Sequence, residues 1–397
     1  MTMKERMLAT LRGAPTDRIP WVPRLDLWYR ANRRAGTLPP AYWDATLPEI
    51  AHALGAGLHA VVPNFRDLRD PSDDVDRALG IYNLHTMPYC TILEKVERTV
   101  RVEGDMTTVT YHTPVGDVRT RVLYDEGMRK AGITITHILE YAIKEVRDYE
   151  VVGYLFEHAR VLPNEAGYRA FSEHGGDQGL AVAFVSLAAS PMHLLQRELM
   201  PVERFCYELY DHPAELAQCA ERIGTYFERV FEVVVECPAE VIFLGANYDA
   251  RITHPPFFEE YLSPYLRRLS EQCHRRGKFL LTHTDGENRG LLDLYLKSGV
   301  DIADSVCPAP MTSLTLKEVR DRFRGQITIW GGVPSVALLR ESMSDEVFAS
   351  YMDRFFTELG AGDHLILGIS DTTPPAAEFE RLQEIGRRIE AFGAICP

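Results

Sequence analysis

The stretch KFLLTHTDGENRGLLDLYLKSGVDIAD, residues 278–304, carries the unit that decides the fold. Residues 278–282 form a short apolar run that ends on polar groups, the pattern of a strand covered on both faces. Residues 287–297 then show helical spacing, and a second apolar run follows at residues 300–304. A strand, a helix and a strand in that order predict a parallel pair joined by a crossover helix.

The same unit repeats outward in both directions. Apolar, β-rich runs bounded by polar or Gly/Pro residues occur at 19–22, 58–62, 180–186, 241–245, 326–330 and 364–369 as well, which makes eight. Helical spacing lies between the later ones, at residues 255–275, 313–323, 344–359 and 374–391. Eight strand-and-helix units predict an α/β fold, a TIM (β/α)8 barrel, with a doubly wound parallel sheet as the alternative. The rhythm breaks between the second and third strands. There Val96, Arg98, Val100 and Val102, then Val109 and Tyr111, then Val118, Thr120, Val122 and Tyr124 alternate around turns at Gly104-Asp105 and residues 114–117. This predicts a three-stranded antiparallel β insertion, followed by helical segments at 136–148, 151–160 and 165–173. Residues 1–397 read as a single barrel domain, with residues 91–175 as an insertion within it.

Composition narrows the function. Of 397 residues, 43 are Lys or Arg and 57 are Asp or Glu, a net charge of −14, and no basic block interrupts that balance. Nucleic acid and anionic membrane surfaces, which need a positive face, are poor partners for such a chain. No apolar run reaches the ~18 residues of a membrane span, and the first twenty residues lack a secretory apolar core, so the expected location is the cytoplasm. The seven cysteines include no CxxC pair, and no disulfide framework is expected.

In a barrel of this kind the residues just past each strand gather at one rim and form the site. Here they are Arg24 and Asp26, Asn64 and Arg66, Ser186, Asn247 and Asp249, His283 and Asp285, Asp304 and Cys307, Gly331 and Gly332, and Ser370 and Asp371. His283 and Asp285 are two apart, so both can face the barrel mouth. Such a pair can offer one nitrogen and one oxygen to zinc, or form an imidazole oriented by a carboxylate. It can equally be a hydrogen-bonded histidine beside an aspartate that caps the next turn. Asn247 and Asp249 share the same parity around Tyr248, and either bind a substrate or tie a loop through Asx turns. Cys307 is a candidate thiolate ligand or a buried structural cysteine. Arg24 can clamp a carboxylate or lie on a solvated helical face.

Beyond these patterns, nearly the whole chain resembles the uroporphyrinogen decarboxylase superfamily, which includes the decarboxylase and the barrel methyltransferases that work with corrinoid proteins. The marks are the opening Lys4-Glu5-Arg6 to Arg12-Gly13 helix with Asp17-Arg18-Ile19-Pro20, and the segment 283–301. Trp330-Gly331-Gly332 and the closing Leu367-Gly368-Ile369-Ser370-Asp371-Thr372-Thr373-Pro374 complete them. The decarboxylase branch implies an amino-terminal Met-Arg-Gln-Ala-Gly-Arg segment and a closing Gly-His-Gly. This chain has neither, with Arg24-Leu25-Asp26 in the first region and Ile369-Ser370-Asp371 in the second. The coenzyme-M-type methyltransferases imply His-x-Cys and a late cysteine as zinc ligands; here Asp285 follows His283 and the late cysteine is absent.

The insertion and the Asn247-x-Asp249 pair look more like the enzymes that demethylate methoxy or methylamino compounds. That resemblance implies a methyltransferase passing a methyl group from a small donor to the cobalt of a corrinoid on a separate protein. In this reading His283, Asp285 and Asp249 are catalytic, and Arg24, Asn64, Asn247, Tyr248 and Asp371 bind the substrate. Zinc is held by His283 and Asp285 with Asn247, Asp249 or Cys307 as a candidate third ligand; without a metal, a protonated Asp249 or Asp285, its pKa raised by burial, donates the proton instead. A homodimer is compatible with it. A decarboxylase acting on a porphyrinogen and a non-catalytic binding barrel are the alternatives.

Overall fold

The computed structural model describes residues 1–61, 71–133 and 135–396, so Asn64 and Arg66 lie outside the described residues. Six parallel strands stand in sequential order: Val182–Ser186, Val241–Leu244, Phe279–His283, Ile302–Val306, Thr328–Pro334 and Leu365–Ser370. Five of them are buried along their entire length, which is why they read as unbroken apolar runs rather than alternating ones.

Backbone hydrogen bonds carry this sheet round to meet itself. Val22 donates to Leu367 and Leu367 donates to Pro20, both at 2.8 Å. Gly57 donates to Trp21 at 2.7 Å, and Val182 donates to Ala60 at 2.9 Å. The ring therefore passes from Leu365–Ser370 through residues 20–22 and 57–60 back to Val182–Ser186, as a (β/α)8 barrel requires. The first two positions are narrower than the predicted strands. At residues 19–22 the cause is visible in the sequence: Pro20 and the following Pro23 have no amide to donate, so each removes a ladder bond that another residue would make.

The helices bury one stripe each against the barrel. Ser263–His274 buries Leu266, Leu269, Ser270 and Cys273, an i, i+3, i+4, i+7 pattern. Each fully buried leucine of this kind stabilises the fold by about 1.5–3 kcal/mol. Leu316–Phe323 begins at Thr315, whose hydroxyl accepts from the Glu318 amide while the Glu318 carboxylate accepts from Thr315.

Between the second and third barrel positions the chain builds two antiparallel sheets. One pairs Tyr89–Leu93 with Ala159–Pro163. The other has four strands, Glu97–Glu103, Met106–Thr113, Gly116–Leu123 and His137–Glu140, where three are predicted. The fourth comes from sequence read as helical at 136–148. It is a strand because Gly116–Leu123 offers a free edge, and pairing Ile138 with Val122 buries both. Tertiary pairing thus overrides a weak local pattern. All seven cysteines are free, and no helix among the described residues is long and apolar enough to cross a membrane.

Candidate functional site

His283 ends its strand, and parallel register sets Asp304 of the next strand directly beside it. Both side chains point into the barrel mouth, and His283 Nδ1 lies 2.6 Å from Asp304 Oδ2. The other oxygen of Asp304 lies 3.3 Å from His59 Nε2, so one buried carboxylate bridges two imidazoles. The His59 ring in turn packs edge-on against Trp330, with centroids 5.0 Å apart. Burial pushes the Asp304 carboxyl up, yet the hydrogen bonds from His283 and His59 outweigh it and hold the pKa at about 2.

On its other nitrogen His283 meets two more carboxylates. Its Nε2 is 3.3 Å from Asp371 Oδ1 and 3.6 Å from Asp285 Oδ2. Burial opposes the imidazolium, but Asp285, Asp304 and Asp371 together hold the His283 pKa well above its ordinary range. Asp371 accepts from Arg24 Nη1 and from Ser305 Oγ, both at 3.3 Å. Partial desolvation raises its pKa, but it is held far below the usual carboxylate range by His283 and then Arg24. Asp285 Oδ2 accepts from Asn247 Nδ2 at 2.8 Å, while its Oδ1 is buried without a hydrogen-bond partner.

His283, Asp285 and Asp371 each offer one ligand atom, and these atoms lie within 4.8 Å of one another. A cluster of one nitrogen and two carboxylate oxygens suits a divalent cation such as zinc. The orphaned Asp285 Oδ1 supports that fit, because a buried carboxylate oxygen without a donor is costly unless a cation meets it. Asp304 holds the far ring nitrogen of His283, the usual outer partner of a metal-binding histidine.

The remaining expected site residues take varied places. Arg24 is at the mouth, but Asp26 and Asp371 already occupy its guanidinium. Tyr248 is fully buried, its hydroxyl 2.7 Å from Thr282 Oγ1 and its ring against Phe258 and Tyr295. The Asp249 carboxylate turns to the backbone and accepts from the amides of Arg251 at 2.9 Å and Glu287 at 3.3 Å. Cys307 is buried near the cluster without being one of its three donors. Burial, then the charges of Asp285 and Asp371, push its thiol up to about 12, which disfavours a thiolate.

Gly286, just past Asp285, shows how closely the two loops at the rim approach. A Cβ at this position would stand 2.0 Å from the Tyr248 carbonyl oxygen and 3.2 Å from Asp249 Cα. Gly286→Ala is therefore expected to force the loops apart, costing about 1–3 kcal/mol of stability and weakening cation binding through Asp285. Thermal melts and a cobalt(II) titration of the variant check both effects.

A barrel with a histidine and carboxylate cluster at the carboxyl rim of its strands belongs to the barrels that bind and transform ligands at that rim. The chain belongs to the uroporphyrinogen decarboxylase (URO-D) family, whose sequence profile matches residues 174–389. Among solved structures the fold is similar to that of a methyltransferase from Methanosarcina mazei, with a TM-score of 0.52 and 14% identity over 99% of each chain. No curated protein matches the chain.

Proposed function

We propose that the protein is a methyltransferase that takes a methyl group from a small methoxy or methylamino compound and passes it to the cobalt of a corrinoid on a partner protein. The observation that carries this reading is the donor cluster of His283, Asp285 and Asp371 at the barrel mouth, with one buried Asp285 oxygen unsatisfied. An alkoxide or amide ion is a poor leaving group, and the departing heteroatom must be stabilised as the methyl leaves. His283, Asp285 and Asp371 would hold a divalent cation, which would supply Lewis-acid stabilisation of that heteroatom. Asp304 keeps the His283 ring in one orientation, and Asn247 does the same for Asp285. Arg24 holds Asp371 in place from the opposite side.

The electrostatics favour this substrate class over a polyacid. Among the described residues Asp26, Asp285, Asp304 and Asp371 stand around the mouth, and Arg24 is already engaged by two of them. A porphyrinogen with many carboxylates would enter an acidic site whose nearest arginine is taken.

The test supplies the purified protein with zinc, a cobalt(I) corrinoid and panels of methoxy and methylamino compounds. Demethylation of at least one donor, followed by the corrinoid absorbance change, is the expected result. Turnover of uroporphyrinogen with every methyl donor inert would replace this reading by the decarboxylase one.

A further inference from the structure

Arg197 lies outside the cluster yet is tied to it through a single side chain. It sits in the turn Leu195–Leu199, in the connection that follows strand Val182–Ser186. Its Nη1 donates to the Ala246 carbonyl at 3.0 Å and to Asn247 Oδ1 at 3.3 Å, and its Nε donates to Glu198 at 3.1 Å. Asn247 then donates from Nδ2 to Asp285 Oδ2 at 2.8 Å. Asn247 also has φ of +58°, a left-handed backbone that needs support at a non-glycine residue. The guanidinium therefore holds both the carbonyl before this strained residue and the oxygen of its side chain.

The chemistry of the amide makes this contact directional. A side-chain amide has an acceptor on one side and two donors on the other. Arg197 has only donors, so it selects the Asn247 rotamer that turns oxygen toward the guanidinium and NH2 toward Asp285. The flipped amide would set its NH2 against a cation and its oxygen against a carboxylate, two repulsive contacts in place of two hydrogen bonds.

We infer that Arg197 is a positioning residue of the site: it fixes the flip of Asn247, which holds Asp285 Oδ2, the oxygen 3.6 Å from His283 Nε2, in place at the cluster. This rests on the proposed metal reading only in treating the Asp285 carboxylate as a ligand. The positioning itself is a property of the cation-free protein.

Two measurements on the full chain keep the two ideas apart. Crystal structures of cation-free Arg197→Met and Arg197→Lys show the orientation of Asn247, and cobalt(II) titration followed by its visible absorption gives affinity. Arg197→Met is expected to release the Asn247–Asp285 hydrogen bond and weaken cobalt(II) binding by about 10–100-fold. Arg197→Lys, which keeps a cationic donor at Asn247 Oδ1, is expected to restore the bond and most of the affinity. If the wild type binds no cobalt(II), the metal reading fails and the Asn247 orientation alone decides the positioning role. An Asn247–Asp285 bond intact in Arg197→Met overturns the inference, as does equal weakening in both variants. If Arg197→Met does not fold, Arg197→Gln takes its place, with a donor but no charge.

Discussion

Under the proposed function, His283→Ala is expected to remove divalent-cation binding and slow methyl transfer by about 10³-fold, the consequence of losing several kcal/mol of Lewis-acid stabilisation. The same substitution should destabilise the cation-free protein by about 3 kcal/mol near neutral pH. Asp304 is 1% exposed, loses its 2.6 Å partner, and keeps only His59 at 3.3 Å. The pH dependence gives this expectation a sign. Because His283 is raised in the folded protein, its contribution is complete below about pH 6.5 and fades as pH rises through the higher folded value. Asp304, held at about 2, contributes above about pH 4, and that contribution disappears as pH falls through its folded value. Thermal stability of the cation-free wild type should show both losses on either side of about pH 4–6.5, and His283→Ala should flatten them. Cation affinity slopes the other way, rising with pH, because His283 Nε2 must release its proton before it can ligate. Melts and cobalt(II) titrations across pH check each part. A His283→Ala protein that melts like the wild type and still binds cobalt(II) would remove His283 from the centre of the site.

How much of this was legible in the sequence depends on how local each cause is. The barrel strands were legible because burial on both faces leaves an unbroken apolar run, as in Ile302–Val306 with its single inward aspartate. His283 and Asp285 were legible as a pair because strand parity is a two-residue property. Asp304 could be placed at a strand end but given no role, since its partner is set by register with a different strand. His59 sits inside an apolar run, and only closure of the ring brings it to Asp304. Arg197 reaches a residue fifty positions away from a turn with no strand-end signature. Tyr248 has the opposite parity to Asn247 and Asp249, which sends it to the core while Asn247 stays at the rim. The short strand His137–Glu140 lay in sequence that reads as helical, because its partner strand, not its own pattern, creates it.

Glu198→Leu is expected to cost about 3–5 kcal/mol, the largest single loss of stability away from the cluster. Glu198 is 3% exposed and accepts from Arg77 Nη1 at 2.7 Å and from Arg197 Nε at 3.1 Å. Burial pushes its carboxyl up, but these two arginines win and hold it below its ordinary range. Arg77 is itself only 6% exposed and stacks over the Tyr82 ring at 4.9 Å. Deleting the carboxylate therefore takes the hydrogen-bonded partner from a buried guanidinium, which keeps the charge of Asp74 and the aromatic face, the latter worth only about 2 kcal/mol of what is lost. Arg77→Met is expected to be milder, because Glu198 keeps Arg197. The double variant Arg77→Met with Glu198→Leu should recover most of the wild-type stability, since a buried ion pair and a packed apolar pair of similar volume differ little. Thermal melts of the three proteins decide the matter: a Glu198→Leu midpoint close to wild type would show that water already screens the pair. The single variant should also loosen Arg197, so its cobalt(II) affinity should fall, whereas Arg77→Met, which leaves the Glu198–Arg197 contact in place, should keep it. That contrast separates general destabilisation from the specific support that Glu198 gives to the residue behind Asn247.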